Sequence, residues 1–468
     1  VTDEAGDPDL PLYSLPYALA LLETGGDAAR ARVVIEAVLA SQDTQNASPT
    51  RGLFRSAPTA APSRIATAHV VPLLVSAYTD RSAVLGEDCS TRIRAALELA
   101  LKALLKPEAA EGDSDVTDWL RYGAILQAAR AVNDPSVAAL TSQTLAAVDR
   151  WLRTVTTEGR SWAPSPDADA WRLIALQRIW GALGQPLRTP VDQALHLCYL
   201  DFAQRVHPAV PILAGAATHA GADWAISGDG IARYLLCRDF GLKTPSYANP
   251  MAAIPVLTDY RPPAEIVALV RAEFKPFTVE TNSTYADAPA QTVTYLHPNY
   301  TLGTMTGWCW PDSIPTYITF AKFVQQPTAY FRVHGAPAHI NSFQYSNLAL
   351  CSLNFDRIGT SDRKQAWVKA YLGNVQEIEE VYALGTIWHG DPIAIGSRGT
   401  VVIKRGGAYL AVTLLECGPV GTEVTSRRKP GALEWEGVGE HAWLTLTIYA
   451  RQEDYALPRA EDDWRAGY

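Results

Sequence analysis

The chain has 468 residues, 48% of them hydrophobic and 19% charged, with a net charge of −9 and a pI near 5.5. That length carries two or three ordinary domains, or one large helical domain with a β partner. The acidic balance excludes a general nucleic-acid or anionic-membrane surface, which needs a basic face to displace counterions, and no apolar run is long enough to span a bilayer.

The opening VTDEAGDPDLPLYS lacks the charged-then-apolar pattern of a signal peptide, so the chain is expected to behave as a mature soluble protein. From Pro16 to about Phe274 apolar residues recur at three- and four-residue steps, as in DAARARVVIEAVLAS and STRIRAALELALKALLKP. Ser90 is expected to cap the second of these helices and Pro107 to follow its end. Further helices are expected near 64–79, 115–132, 135–155, 167–183, 190–205, 228–240 and 263–274. Many are Ala-rich and apolar on more than one face, which suits helices packed on both sides in an α/α toroid, an incomplete barrel over residues 1–274.

Within this half, RGLFRSAPTAAPSRIATAH brings Arg51, Arg55, Arg64 and His69 into one loop and the helix that follows it. Such a loop could offer cations to an anionic substrate, or be a solvated surface. Asp113, Asp115, Asp118, Asp167 and Asp169 cluster before helices. A glycosidase needs one carboxylic acid and one carboxylate, but Asp in this position is more often a cap or a first-turn charge.

Near Lys275 the period changes to two. TYITFAKFV, AYFRVHG, LALCSLNF, QAWVKAYLG, GTVVIKRGGAYLAVTLLE and HAWLTLTIYA are short, alternating and rich in Val, Thr and aromatics. KRGGAY reads as a two-residue Gly-Gly hairpin. The class expected is α+β and multidomain, with an antiparallel β-sandwich over 275–468.

The sandwich half opens with TYLHPNYTLGT, residues 294–304, read as a strand with Pro298 at an edge or bend. Alternation puts Tyr295, His297 and Asn299 on one face and Tyr300 and Leu302 on the other. In AYFRVHGAPAHINSF, Arg332 and His334 share a face. His334, His339 and a distant His389 could hold a structural metal as neutral imidazoles, although satisfied loop histidines are the commoner case. Trp308, Trp310 and Trp388 could stack on sugar rings or fill the core, and His389 adjoins Trp388. The six cysteines form no C-x-x-C pair and read as buried free thiols, while sequons at Asn46, Asn282 and Asn299 favour secretion. Serine nucleophile elbows, Walker loops and Rossmann glycine patterns are absent.

An Ala-rich helical toroid followed by an antiparallel sandwich, with LASQDTQNASPTRGLF in the first half and TYLHPNYTLGT just after the junction, resembles the heparinase II/III-like polysaccharide lyases. The resemblance implies a carbon–oxygen lyase that cleaves a uronate-containing polysaccharide or oligosaccharide by β-elimination in a cleft between the two halves. It implies Tyr and His for proton transfer, Asn or Arg to neutralise the uronate, and no redox cofactor. By residue type, His297, Tyr300, Tyr295, His334 and His69 are the expected catalytic groups. Asn299, Arg332, Arg64, Trp308, Trp310, Trp388 and His389 are the expected substrate contacts, and the expected partner is a carbohydrate or small molecule. Other readings are a toroid glycosidase, a lyase-like fold recruited as an eliminase, isomerase or cyclase of a small non-sugar substrate, and a carbohydrate-binding protein without turnover.

Overall fold

The computed structural model describes residues 11–106, 115–159, 165–207, 210–217, 231–242, 254, 258–271, 276–285, 288–309, 313–320, 328–334, 338–355, 365–371, 380–383, 386–387, 393–394, 399–405, 408–418, 424–429, 432–438 and 442–452. The chain forms two compact units. The first comprises Val1–Trp162, Pro166–Gln204 and Gly228–Arg271, and the second Ala163–Ser165, Arg205–Ser227 and Ala272–Tyr468.

Helices fill the first unit: α1 (Pro11–Glu23), α2 (Ala28–Ala40), α3 (Arg64–Leu85), α4 (Glu87–Leu104), α5 (Asp115–Val132), α6 (Val137–Glu158), α7 (Pro166–Ala182), α8 (Thr189–Arg205), α9 (Ile231–Phe240) and α10 (Ala264–Arg271). The two-residue strands β1 (Phe54–Arg55) and β2 (Pro62–Ser63) pair before α3. Each of α1, α3, α5, α7 and α9 touches the next, and α2, α4 and α6 pack against members of that row. Burial follows this arrangement. Helix α3 is buried nearly all round over Ala66–Val75, with Thr67, Val71, Leu73 and Leu74 each at 0% exposure, as a helix with neighbours on several sides requires. Helix α4 instead buries one stripe, Cys89, Ile93, Leu97, Ala100 and Leu104.

Two starts show how local chemistry sets the helix ends. The Asp27 carboxylate accepts the Arg30 amide N–H at 2.9 Å, and Ser63 Oγ accepts that of Ala66 at 3.2 Å, so α2 and α3 carry side-chain N-caps. Ser90, by contrast, does not cap α4. The helix begins at Glu87 after Gly86, with Glu87 and Asp88 in its first turn facing the positive end of the helix dipole. Ser90 lies inside it, its hydroxyl bonded back to the Gly86 carbonyl at 2.9 Å.

The second unit begins with a short antiparallel pair, β3 (Val206–His207) and β4 (Val210–Leu213). It continues through β5 (Phe277–Tyr285), β6 (Ala288–His297), β7 (Tyr300–Cys309), β8 (Thr316–Phe320), β9 (Thr328–His334), β10 (Ala338–Tyr345), β11 (Leu348–Phe355), β12 (Gln365–Tyr371), β13 (Glu380–Ala383), β14 (Thr386–Ile387), β15 (Ile393–Ala394), β16 (Gly399–Arg405), β17 (Ala408–Gly418), β18 (Val424–Lys429), β19 (Ala432–Val438) and β20 (Ala442–Gln452). These strands join in the order β14-β13-β16-β17-β20-β11-β10-β7-β8-β9-β12-β19-β18-β15, with β6 on β7 and β5 on β6. Every pairing in this order is antiparallel. Arg405 pairs with Ala408, the register of the Gly-Gly hairpin read from KRGGAY, although the two glycines lie outside the described residues.

Strand β7 is the branch point. Its Tyr300–Thr304 stretch pairs with β8 and its Gly307–Cys309 stretch with β10, while β6 pairs along Tyr300–Thr306. Gly307, at φ +129°, marks the change, and a Cβ there would lie 2.7 Å from the Pro289 carbonyl oxygen. A residue without a side chain is what this conformation and contact demand.

Residues 205–217 precede Lys275 in sequence and pack on this sheet. Ala217 and Ile314 exchange backbone hydrogen bonds at 2.9 and 2.7 Å. Gly215 approaches Gly303 so closely that a Cβ on Gly303 would sit 2.5 Å from the Gly215 Cα. Both partners are backbone, so neither can swing aside. Gly303→Ala is expected to destabilise the protein by about 3 kcal/mol through overpacking. Urea-unfolding midpoints of parent and variant check this, and an unchanged midpoint would contradict the close approach.

Candidate functional site

TYLHPNYTLGT is two strands, not one. Chain reversal at Pro298 and Asn299 makes a two-residue hairpin between β6 and β7, in which His297 is the partner of Tyr300 and Tyr295 that of Leu302. Directly opposed residues share a face, so Tyr300 joins Tyr295 and His297 instead of facing away from them. The His297 and Tyr300 rings stack with centroids 4.6 Å apart at 20°. The Tyr295 ring lies 6.3 Å from His297 and 6.1 Å from Tyr300. Tyr300 is 6% exposed, whereas Tyr295 and His297 are half-buried.

Two hydrogen bonds set the chemistry of this face. The Asn299 amide N–H donates to His297 Nδ1 at 3.2 Å. A ring nitrogen that accepts carries no proton, so neutral His297 holds its proton on Nε2. Behind the turn, His207, 1% exposed, donates from Nε2 to the His297 carbonyl oxygen at 3.0 Å. Burial pushes the His207 pKa below the usual imidazole value, against the opposing pull of its bonds to the His297 and Pro298 carbonyls. A neutral His207 thus ties β3 to the hairpin and fixes where His297 sits. Sequence reasoning missed this residue. Its signal is VHPAVPIL, where two prolines and alternating apolar residues interrupt the helical period.

Of the other expected site residues, some are described. Asn299 is a half-buried turn residue. Half-buried Trp308 is the strand partner of exposed His339. Arg332 and His334 lie on β9 opposite Lys369 and Trp367, and their side chains are outside the described residues. Trp310, Trp388 and His389 are also outside them. Among the described residues no group of three or more His, Cys, Asp or Glu is arranged to hold a metal, and Cys89, Cys198, Cys237, Cys309 and Cys351 are free thiols.

In the helical unit two of the cations expected for substrate bond to nearby backbone carbonyls. The Arg64 guanidinium donates to the Lys106 carbonyl at 2.9 Å and that of Arg55 to the Ala60 carbonyl at 2.8 Å. Of the clustered aspartates, Asp118 pairs with Arg121 at 3.2 Å and Asp169 with Arg172 at 2.7 Å. The Asp169–Arg172 pair is nearly fully buried, so Asp169 is held as a carboxylate partner instead of standing as a free acid for glycoside cleavage. A cavity of about 370 Å³ beside α4, α5 and α6 exposes Lys106, Arg121 and Arg150, and no expected site residue lines it.

His69 lies in the second turn of α3 with its ring edge-on to Trp171, centroids 4.3 Å apart. Its Nδ1 is buried and has no hydrogen-bond partner among the described residues. Burial, and after it the Arg178 charge, lowers its pKa to about 3. A group depressed from an unfolded value of 6.5 is protonated first in the unfolded chain, so its contribution to stability is lost as pH falls through that window. The slope reaches about 1.4 kcal/mol per pH unit. His69→Phe is expected to flatten the acid limb of the stability profile between those values, measured as urea midpoints; a profile parallel to the parent's would count against a neutral ring with a buried Nδ1.

No family model matches the chain, and no curated protein sequence matches it. Among solved structures, heparinase III is similar over 94% of this chain and 76% of its own, at 10% identity and a TM-score of 0.42. The heparan sulfate lyase of Pedobacter heparinus is similar over 96% and 78%, at 11% identity and a TM-score of 0.38. Both scores lie below the level at which a shared fold follows.

Proposed function

We propose that this chain is a carbon–oxygen lyase that cleaves a uronate-containing polysaccharide or oligosaccharide by β-elimination, on an α/α toroid followed by a β-sandwich. The observation that carries the reading is the Tyr295–His297–Tyr300 face, two phenols and an imidazole whose Nδ1 accepts a backbone N–H, on one hairpin.

Elimination removes the weakly acidic proton beside the carboxylate, moves its electron pair into a new carbon–carbon double bond, and expels the glycosidic oxygen. The site must supply a base, a proton for the leaving oxygen, and a donor to the carboxylate as charge builds there. Tyr295, half-exposed at the edge of the cluster, is the proton-transferring residue: as phenolate it takes the proton and as phenol returns it to the leaving oxygen. His297 offers its Nε2–H to the carboxylate, a role for a neutral imidazole, because a proton on Nδ1 would oppose the Asn299 N–H. Tyr300 and His207 are positioning residues, one stacked under the His297 ring and the other bonded to its backbone.

The test is incubation with a panel of uronic-acid polysaccharides and oligosaccharides, following the ultraviolet absorbance of the unsaturated uronate. A rise with the parent that is lost in His297→Ala supports the assignment. No rise on any substrate, or a rise indifferent to His297, overturns it.

A further inference from the structure

The helical unit buries a positive charge that has no counter-charge among the described residues. Arg178, in the fourth turn of α7, is 4% exposed, its Nη1 is fully buried, and it has no hydrogen-bond or ion-pair partner among the described residues. The contrast with its neighbours is sharp. Arg172, one and a half turns earlier on the same helix, is paired with Asp169, and Arg238 on α9 is paired with Asp239. A guanidinium keeps its proton in a folded protein, so burial cannot be relieved by neutralisation as it is for lysine or histidine. Leaving it unpaired costs several kcal/mol.

Around Arg178 the polar supply is also unfinished. His69 Nδ1 on α3 and Gln127 Oε1 on α5 are buried without hydrogen-bond partners among the described residues, and α5 packs on both α3 and α7. The His69 ring packs on Trp171 at 4.3 Å, and Trp171 lies two turns before Arg178 on the same face of α7, which puts His69 on Arg178's side of that helix. Gln127 lies one helical turn beyond Gly123, where a Cβ would meet the Arg178 Cβ at 3.6 Å. Unsatisfied buried groups are exceptional in native proteins and mark an ion, a water or a functional site.

We propose that Arg178, with His69 beside it, is a binding site for a single oxyanion, a carboxylate or a sulfate group, inside the helical unit. The guanidinium supplies the charge and a forked pair of donors, and His69 adds a further donor when its proton is on Nδ1. The chain's net charge of −9 makes this buried cation a local exception, so it selects for a discrete anionic group instead of drawing in polyanions at long range. This proposal does not rest on the elimination at the hairpin, and its test does not use turnover.

The test is thermal unfolding of the parent, Arg178→Met and Arg178→Lys, with acetate, glucuronate, sulfate, chloride and uncharged glucose at matched ionic strength. Acetate with glucuronate reports a carboxylate site and sulfate a sulfate site. The parent is expected to gain about 3 °C in Tm, saturably, with at least one oxyanion and not with chloride or glucose. Arg178→Met is expected to unfold at a higher temperature than the anion-free parent, because an uncompensated charge has gone, and to lose the oxyanion response; Arg178→Lys retains part of it. A lower Tm for Arg178→Met with no anion response in the parent, or an equal response in parent and Arg178→Met, overturns the proposal.

Discussion

His297→Ala and Tyr295→Phe are each expected to lower the rate of elimination on a uronate polymer about 10²–10⁴-fold, the usual worth of a positioned acid–base group. The loss should fall on kcat more than on KM, since both side chains serve charge that develops only in the transition state. Tyr300→Phe separates the roles within the cluster. It keeps the ring stacked on His297 at 4.6 Å and removes only the hydroxyl of a 6% exposed residue, so a loss of about tenfold or less is expected. A Tyr300→Phe defect as large as that of Tyr295→Phe would exchange the two phenols. His207→Ala should lower kcat through the hairpin without removing any group that meets substrate, and His207→Gln, which keeps a donor toward the His297 carbonyl, should restore part of it.

The helical half was legible because its period survives in single segments. The spacing predicts a helix over 115–132, and α5 occupies those residues. The Ser90 cap failed because a hydroxyl three residues into a helix looks, in sequence, like one that precedes it; the first-turn acids Glu87 and Asp88 were the competing signal. The site was half legible. Tyr295, His297 and Tyr300 announce themselves by composition, but which face each occupies depends on whether Pro298 bends a strand or reverses it. A proline followed by Asn fits either case. The decisive contact, from His207, spans ninety residues of sequence, and no local pattern carries it. Arg178 was missed for a different reason: in ALQRIWG it reads as the polar side of an amphipathic helix, and only the packing of α5 on α7 shows that no side of α7 faces water there.

Asp239→Ala is expected to cost the protein about 3–5 kcal/mol, because it strands a buried arginine. Asp239 accepts from Tyr199 and from two nitrogens of Arg238, and its side chain has no exposure. Arg238 in turn donates to Gln177 Oε1 and Thr258 Oγ1, both at 3.2 Å, and Thr258 donates to the same Gln177 oxygen at 2.6 Å. Burial and the adjacent carboxylate push the Tyr199 pKa far up, so it remains a neutral donor. The network therefore joins α7, α8 and α9 through groups that all need one another, and half of it is worse than none. Chemical denaturation of Asp239→Ala, Arg238→Met and the double variant separates the terms. The double variant should be less destabilised than the sum of the single changes, since it leaves no unpaired charge. Strict additivity would mean that the ion pair is not coupled. Gln177 immediately precedes Arg178, so the same network holds in place the segment of α7 that carries the unpaired arginine. Asp239→Ala should accordingly weaken the oxyanion response at Arg178, and Arg178→Met should leave the Asp239 network intact.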